Sequence, residues 1–137
     1  MKQKFVDLYM AIAGTVASAS YATRLKVGAV AVKDQRILSI GYNGTPHGTS
    51  NECEHNVDGV MVTKPEVIHA EANCILKMAR DGQSALGADL FVTTAPCIEC
   101  AKMILTAGFN SVWYRDQYRS AAGIEFLEQN NVKVSQV

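Results

Sequence analysis

Two short motifs, His69-Ala70-Glu71 and Pro96-Cys97-Ile98-Glu99-Cys100, constrain this chain more than anything else in it; 24 residues separate them. Cys97 and Cys100 stand at i and i+3, so on a helix both thiols fall on one side of a single turn. Pro96 suits the opening of that helix, because its missing N–H would be unpaired there anyway. The unpaired N–H groups and positive dipole end of such a turn favour thiolate over thiol. His69 and Glu71 stand at i and i+2 and cannot share a helix face. They converge on one point only from a helix start, aimed off its end. Pro65 lies just upstream, and apolar helical spacing begins at Ala72. The fold must therefore bring two helix N-termini together.

His69, Cys97 and Cys100 are good zinc ligands. Three protein ligands leave the fourth tetrahedral position open, as in catalytic rather than structural zinc sites. Two thiolates and a neutral imidazole leave Zn²⁺ formally neutral, and zinc draws the pKa of a bound water toward about 7. Glu71, beside the ligands, is then the candidate general acid–base. The competing reading is a closed zinc-stabilised module without catalysis, which needs Cys53 or Cys74 as a fourth ligand. Cys74 falls inside an apolar helix and reads as core packing.

The 137 residues suggest one domain spanning 1–137, long enough to bury a core without disulfides. Phe5, Leu8, Tyr9, Ile12 and Val16 predict a helix over about 4–21. Val27–Val32 and Ile37–Tyr42, joined through Asp34-Gln35, read as an antiparallel hairpin. Residues 44–66 are polar and aperiodic and read as a long loop, which in a compact domain is usually functional or mobile. Ala72, Ile75, Leu76 and Ala79 mark a second helix closed by Asp81-Gly82. Leu90–Thr93 is a third strand, Pro96 to Gly108 a third helix, and Ser111–Tyr114 a fourth strand. Ala121–Gln129 is a fourth helix and Val132–Val134 a last strand. The order α-β-β-α-β-α-β-α-β implies parallel pairing in the second half and a mixed five-stranded sheet between helices, a three-layer α/β/α fold.

Lys+Arg and Asp+Glu both number 13, so the chain lacks the basic excess of a nucleic-acid binder. No apolar run approaches the roughly 18 residues of a membrane span. The start of the chain reads as an amphipathic helix rather than a secretory leader, and a C-x-x-C pair in a reducing compartment usually binds metal or does redox chemistry. The expectation is a cytoplasmic protein acting on a small molecule, with neither nucleic acid nor membrane as partner.

With these residues in view, the chain resembles the cytidine and deoxycytidylate deaminase superfamily, in which H-x-E and P-C-x-x-C mark zinc-dependent nucleobase deaminases. Three further stretches, Lys26–Val30, Gly41–Gly48 (Gly-Tyr-Asn-Gly-Thr-Pro-His-Gly) and Leu90–Pro96, resemble the deoxycytidylate (dCMP) deaminases in particular. The resemblance covers about residues 25–120. It implies a cytidine-deaminase-like fold and hydrolysis of dCMP to dUMP and ammonia, supplying thymidylate synthesis. Glu71 would move protons to the ring and the departing amine. It implies Asn43, Lys26, Ala70, Tyr114 and Tyr118 as substrate contacts. It also implies an effector site at Arg24, Tyr42, Asn43 and Gly44, where dCTP activates and dTTP inhibits, with Mg²⁺ accompanying the triphosphate. Members are typically homo-oligomers, often hexamers. Physically, Gly41, Gly44 and Gly48 permit close backbone approach to a phosphate-bearing ligand, and Tyr114, Arg115, Tyr118 and Arg119 suit a nucleotide. Some relatives carry a second, structural zinc; Cys53 with His47 or His55 is a candidate remnant, without a full set of four ligands. The alternative within the superfamily is another cytosine or adenine substrate, such as dCTP or a tRNA adenosine. A tRNA enzyme would be expected to show a basic face and lacks the Gly-Tyr-Asn-Gly-x-Pro pattern.

Overall fold

A computed structural model describes residues 1–137. Eleven elements follow in the order α1 (Gln3–Ala17), β1 (Gly28–Lys33), β2 (Arg36–Tyr42), β3 (Glu54–Val57), β4 (Val60–Thr63), α2 (Ala70–Arg80), β5 (Asp89–Thr94), α3 (Ile98–Ala107), β6 (Ser111–Asp116), α4 (Ala122–Gln129) and β7 (Lys133–Gln136). Five strands form one mixed sheet in the order β2-β1-β5-β6-β7. β1 runs antiparallel to β2 and β5, whereas β5, β6 and β7 are parallel.

Strand alternation builds the two faces. Val30, Val32 and Phe91 point to one side and pack with Val6, Tyr9, Met10, Ala13 and Val16 of α1. Ala29, Ala31, Leu90, Val92 and Val112 point to the other and pack with Cys74 and Met78 of α2, Ala101 and Ile104 of α3, and Ile124 and Leu127 of α4. The expected three layers and five-stranded sheet are present. Cys74 is fully buried in the larger core, as packing and not as a ligand.

The local signals were readable where burial enforces periodicity. Asp34 and Gln35 both take positive φ, the turn geometry that matches strand twist in a two-residue hairpin. Gly108 closes α3 in the left-handed conformation. Three details differ. α1 ends at Ala17, because Ser18 turns its hydroxyl back on the Thr15 carbonyl and Ser20 bonds the Asn43 carbonyl, offering the backbone an alternative to the helix. Pro96 precedes the α3 N-cap, Cys97, instead of being the first helical residue. Residues 44–66 are not one loop: β3 and β4 form a separate antiparallel hairpin around Asp58-Gly59, both at positive φ. Apart from Glu54 these strands are exposed, Val60 by 62%, so no alternation of buried residues betrayed them. No helix is long and apolar enough to cross a membrane.

Two glycines set how the site-bearing helices dock. A Cβ on Gly41 of β2 would lie 2.5 Å from the Ala70 carbonyl oxygen and 2.5 Å from the Cys74 nitrogen, so α2 rests directly on the β2 backbone. A Cβ on Gly123 of α4 would lie 2.2 Å from the Pro96 carbonyl oxygen and 2.8 Å from the Cys97 carbonyl carbon. Gly41 therefore serves helix packing and not the ligand approach that its motif suggests.

Candidate metal centre and active-site cavity

His69 is the N-cap of α2 and Cys97 the N-cap of α3; both have extended backbone, and neither side chain caps its own helix. Their side chains are thus free to point past the helix ends toward each other. Cys100 follows in the first turn of α3, and Glu71 in the first turn of α2. The two helix starts meet, as the i, i+2 and i, i+3 spacings require.

His69 Nδ1 lies 3.5 Å from Sγ of Cys97 and 3.5 Å from Sγ of Cys100. A tetrahedral zinc with Zn–N near 2.0–2.1 Å and Zn–S near 2.3 Å separates nitrogen from sulfur by about 3.5 Å. The three donor atoms lie within 4.8 Å of one another, and they form the one such group of three or more His, Cys, Asp or Glu residues. Glu71 stands outside that group, beside the ligands. Cys53, His47 and His55 form no second one; the Cys53 thiol instead donates to the Asn51 carbonyl at 3.6 Å.

The charges suit a cation. Hydrogen bonding from the Cys100 thiol and from His69 pushes the Cys97 thiol down to about 3, while that same sharing of one proton, together with burial, pushes Cys100 up. Cys97 is thus the more acidic of the two thiols, and a zinc ion would take both sulfurs as thiolates. The hydrogen bond to Cys97 raises His69, with burial opposing it. Glu71 is 4% exposed, and burial pushes its carboxyl up to about 7, against the opposing pull of its own backbone N–H and of His69. A carboxyl poised near neutrality can both take and return a proton.

His69, Glu71 and Cys97 open onto a cavity of about 330 Å³, within the usual range for small-molecule sites. His69, Ala70, Glu71 and Cys97 line it beside Thr94 and Ala95, with Arg24, Asn43, Glu54, Thr63, Tyr118 and Arg119 around the rest. The Arg119 guanidinium stacks 5.3 Å from the Tyr118 ring centroid.

The sequence-derived candidates separate here. Asn43, Ala70, Tyr118 and Arg24 line the cavity; Lys26, Tyr114, Tyr42 and Gly44 do not. Lys26 turns its ammonium to the Ser20 carbonyl. Tyr114 is buried in β6, its hydroxyl accepting from Gln117 at 3.1 Å. The Tyr42 ring packs against the α1 core, and Gly44 forms an isolated backbone bridge with Ile68, next to His69. Arg115 pairs with Asp116, away from the cavity. Asn43 uses its amide to strap the neighbouring chain: Oδ1 accepts from Val27 N–H at 2.8 Å and Nδ2 donates to the Leu25 carbonyl at 2.8 Å. One amide hydrogen and one lone pair remain for a ligand. Glu54 and Thr63 were missed. Their signal was Asp58-Gly59 between apolar residues, the mark of a short hairpin.

The family model for the cytidine and deoxycytidylate deaminase zinc-binding region matches residues 3–115. ComE operon protein 2 of Bacillus subtilis (strain 168) is 36% identical over 130 residues, covering 94% of this chain and 69% of that protein. The deoxycytidylate deaminase of Mycobacterium phage D29 is 35% identical over 119 residues, covering 79% of this chain and 91% of that one. The crystal structure of dCMP deaminase from the cyanophage S-TIM5 in complex with dCMP and dUMP superposes with a TM-score of 0.94 at 43% identity, covering 100% of this chain and 99% of that one. The family model matched over residues 3–115, with relatives 35–36% identical, makes this chain a member of the cytidine and deoxycytidylate deaminase family.

Proposed function

We propose that the protein hydrolyses the 4-amino group of dCMP, giving dUMP and ammonia. The observation that carries this reading is a single cavity lined by Glu71, His69 and Cys97 together with two arginines, Arg24 and Arg119, with Cys100 completing the donor set behind its wall. The dCMP complex of the S-TIM5 enzyme supports the choice of substrate.

His69, Cys97 and Cys100 would hold a zinc ion, which would supply Lewis-acid activation of water there. Glu71 does the proton work. Its carboxylate accepts a proton from the attacking water and delivers it to N3 of the ring; it then takes the proton of the new C4 hydroxyl and delivers that to the departing amine, so that water and dCMP balance to dUMP and ammonia. Burial favours this by raising the Glu71 carboxyl above the usual carboxylate range. Tyr118 offers its ring face to the pyrimidine, Asn43 and the Ala70 backbone offer polar contacts, and Arg24 and Arg119 take the 5′-phosphate through charge-assisted hydrogen bonds. Lys26 and Tyr114 have no part in this reading, because their polar groups are turned elsewhere.

The decisive measurement is an ultraviolet assay of deamination on dCMP, deoxycytidine, dCTP and a tRNA substrate. dCMP should be preferred, and removing its phosphate should lower kcat/KM roughly ten- to a hundredfold, the usual worth of a hydrogen bond to a charged group. Equal turnover of deoxycytidine, or preference for the tRNA, would refute the reading. Activation by dCTP, inhibition by dTTP, Mg²⁺ accompanying the triphosphate, a hexameric assembly and a cytoplasmic location extend the proposal on the strength of the sequence resemblance. Hyperbolic dCMP kinetics unmoved by either triphosphate would reject the regulatory part.

A further inference from the structure

The stretch between α1 and β1, residues 18–27, has no helix or strand of its own. Few bonds within it fix its course, and the bonds at Thr23 and Arg24 come from one rung of the β3–β4 hairpin. Glu54 and Thr63 are register partners on that rung, and both line the cavity. The Glu54 carboxylate, 8% exposed, accepts from the Thr23 N–H at 3.0 Å, the Arg24 N–H at 3.2 Å and the Thr23 hydroxyl at 3.0 Å. Opposite it, the Thr63 hydroxyl accepts from the Arg24 guanidinium at 3.1 Å. One rung thus holds Arg24 at both its backbone and its head group.

A buried carboxylate in the wall of a cavity that takes an anion works against that anion. Its presence needs a compensating role, and the three donors supply one. Burial opposes ionisation, but the Arg24 and Thr23 N–H groups and the Thr23 hydroxyl outweigh it and hold the carboxyl below its usual range. An ionised acceptor makes these bonds stronger than a neutral one would.

We propose that the Glu54–Thr63 rung is a clamp that positions Arg24, making Glu54 a positioning residue that sets preference for a phosphorylated nucleotide over the free nucleoside. The proposal rests on the reading of dCMP as substrate, with Arg24 at its phosphate. A misplaced binding group acts on the part of the substrate it meets, so loss of the clamp falls on KM for the phosphorylated substrate.

The test is steady-state kinetics of the zinc-loaded enzyme on dCMP and on deoxycytidine, for wild type, Glu54→Ala, Glu54→Gln and Thr63→Val, with zinc content measured alongside. Glu54→Ala should raise KM for dCMP roughly tenfold or more, with little change in kcat, in deoxycytidine turnover or in bound zinc. Glu54→Gln should restore most of the loss: its carbonyl can accept both N–H groups, and its amide can donate to the Thr23 hydroxyl. Thr63→Val should raise KM for dCMP several-fold and carries the test if Glu54→Ala does not fold. Equal losses on both substrates would overturn the proposal, as would a fall in KM for dCMP in both Glu54 variants, which would mark the carboxylate as a repelling charge only. A wild type that does not distinguish dCMP from deoxycytidine would remove the substrate reading itself, a result separable from failure of the clamp in an enzyme that does.

Discussion

Replacing Gly123 by alanine tests whether α4 holds the metal centre in place. Both Gly123 and Gly14 lie inside helices, so propensity alone favours alanine at each by up to about 1 kcal/mol. At Gly14 nothing opposes the gain: the nearest atom to an added Cβ is Arg115 Nη1 at 3.5 Å, an ordinary contact. At Gly123 the Cβ would stand 2.2 Å from the Pro96 carbonyl oxygen and 2.9 Å from that of Cys97, both backbone atoms that cannot swing aside. Reaching contact distance requires about 1 Å of separation between α4 and the Pro96–Cys97 peptide, and overpacking of this kind costs about 1–3 kcal/mol. The propensity gain cancels between the two, so the alanine variants should differ by the overpacking cost, about 1–3 kcal/mol, or roughly 3–12 °C in Tm for a chain of this size. The displacement also falls on a ligand whose distances must hold within about 0.2 Å, so Gly123→Ala should weaken zinc in competition with a chelator while Gly14→Ala should not. A Gly123→Ala protein with the melting temperature and zinc affinity of Gly14→Ala would refute the argument that this helix contact sets the site.

Glu71→Gln should keep its zinc and lose turnover by roughly 10²–10⁴-fold, as expected for removing a general acid–base; retained activity would end the proton-transfer role. Chelating the zinc should lower Tm, because zinc bound only by the folded site adds its binding free energy to folding, and readdition should restore it. Glu54 makes a pH prediction. Its folded carboxyl titrates below the ordinary value of about 4.3, so its contribution is complete above that value and is lost as pH falls through the lower folded one. Acid unfolding curves of wild type and Glu54→Gln should converge toward low pH; a constant gap at all pH values would contradict the shift.

Legibility in the sequence followed burial. Val30 and Val32 alternate with Ala29 and Ala31 because each set faces a different helical layer, and that constraint shows as a β-branched run. The β3–β4 hairpin faces solvent along nearly all its length, so its only mark was the turn at Asp58-Gly59. The same difference divides the site. His69, Glu71, Cys97 and Cys100 were legible because one ion fixes their spacing along the chain. Lys26 and Tyr114 sit close in sequence to cavity residues, yet their side chains bond elsewhere, which spacing does not encode.

What the sequence determined by itself is the chemistry: which donors can hold zinc, which carboxylate stands beside them, and that two helix starts must meet. These follow from local spacing and from the valence of the side chains. Tertiary structure decided the rest. It brought Gly123 of α4 against Pro96 and set α2 on Gly41. It also folded an exposed hairpin back so that Glu54 and Thr63 grip Arg24, some 30 and 39 positions away along the chain. Such contacts depend on where whole elements dock, and docking is governed by the summed packing of faces, which no single motif carries.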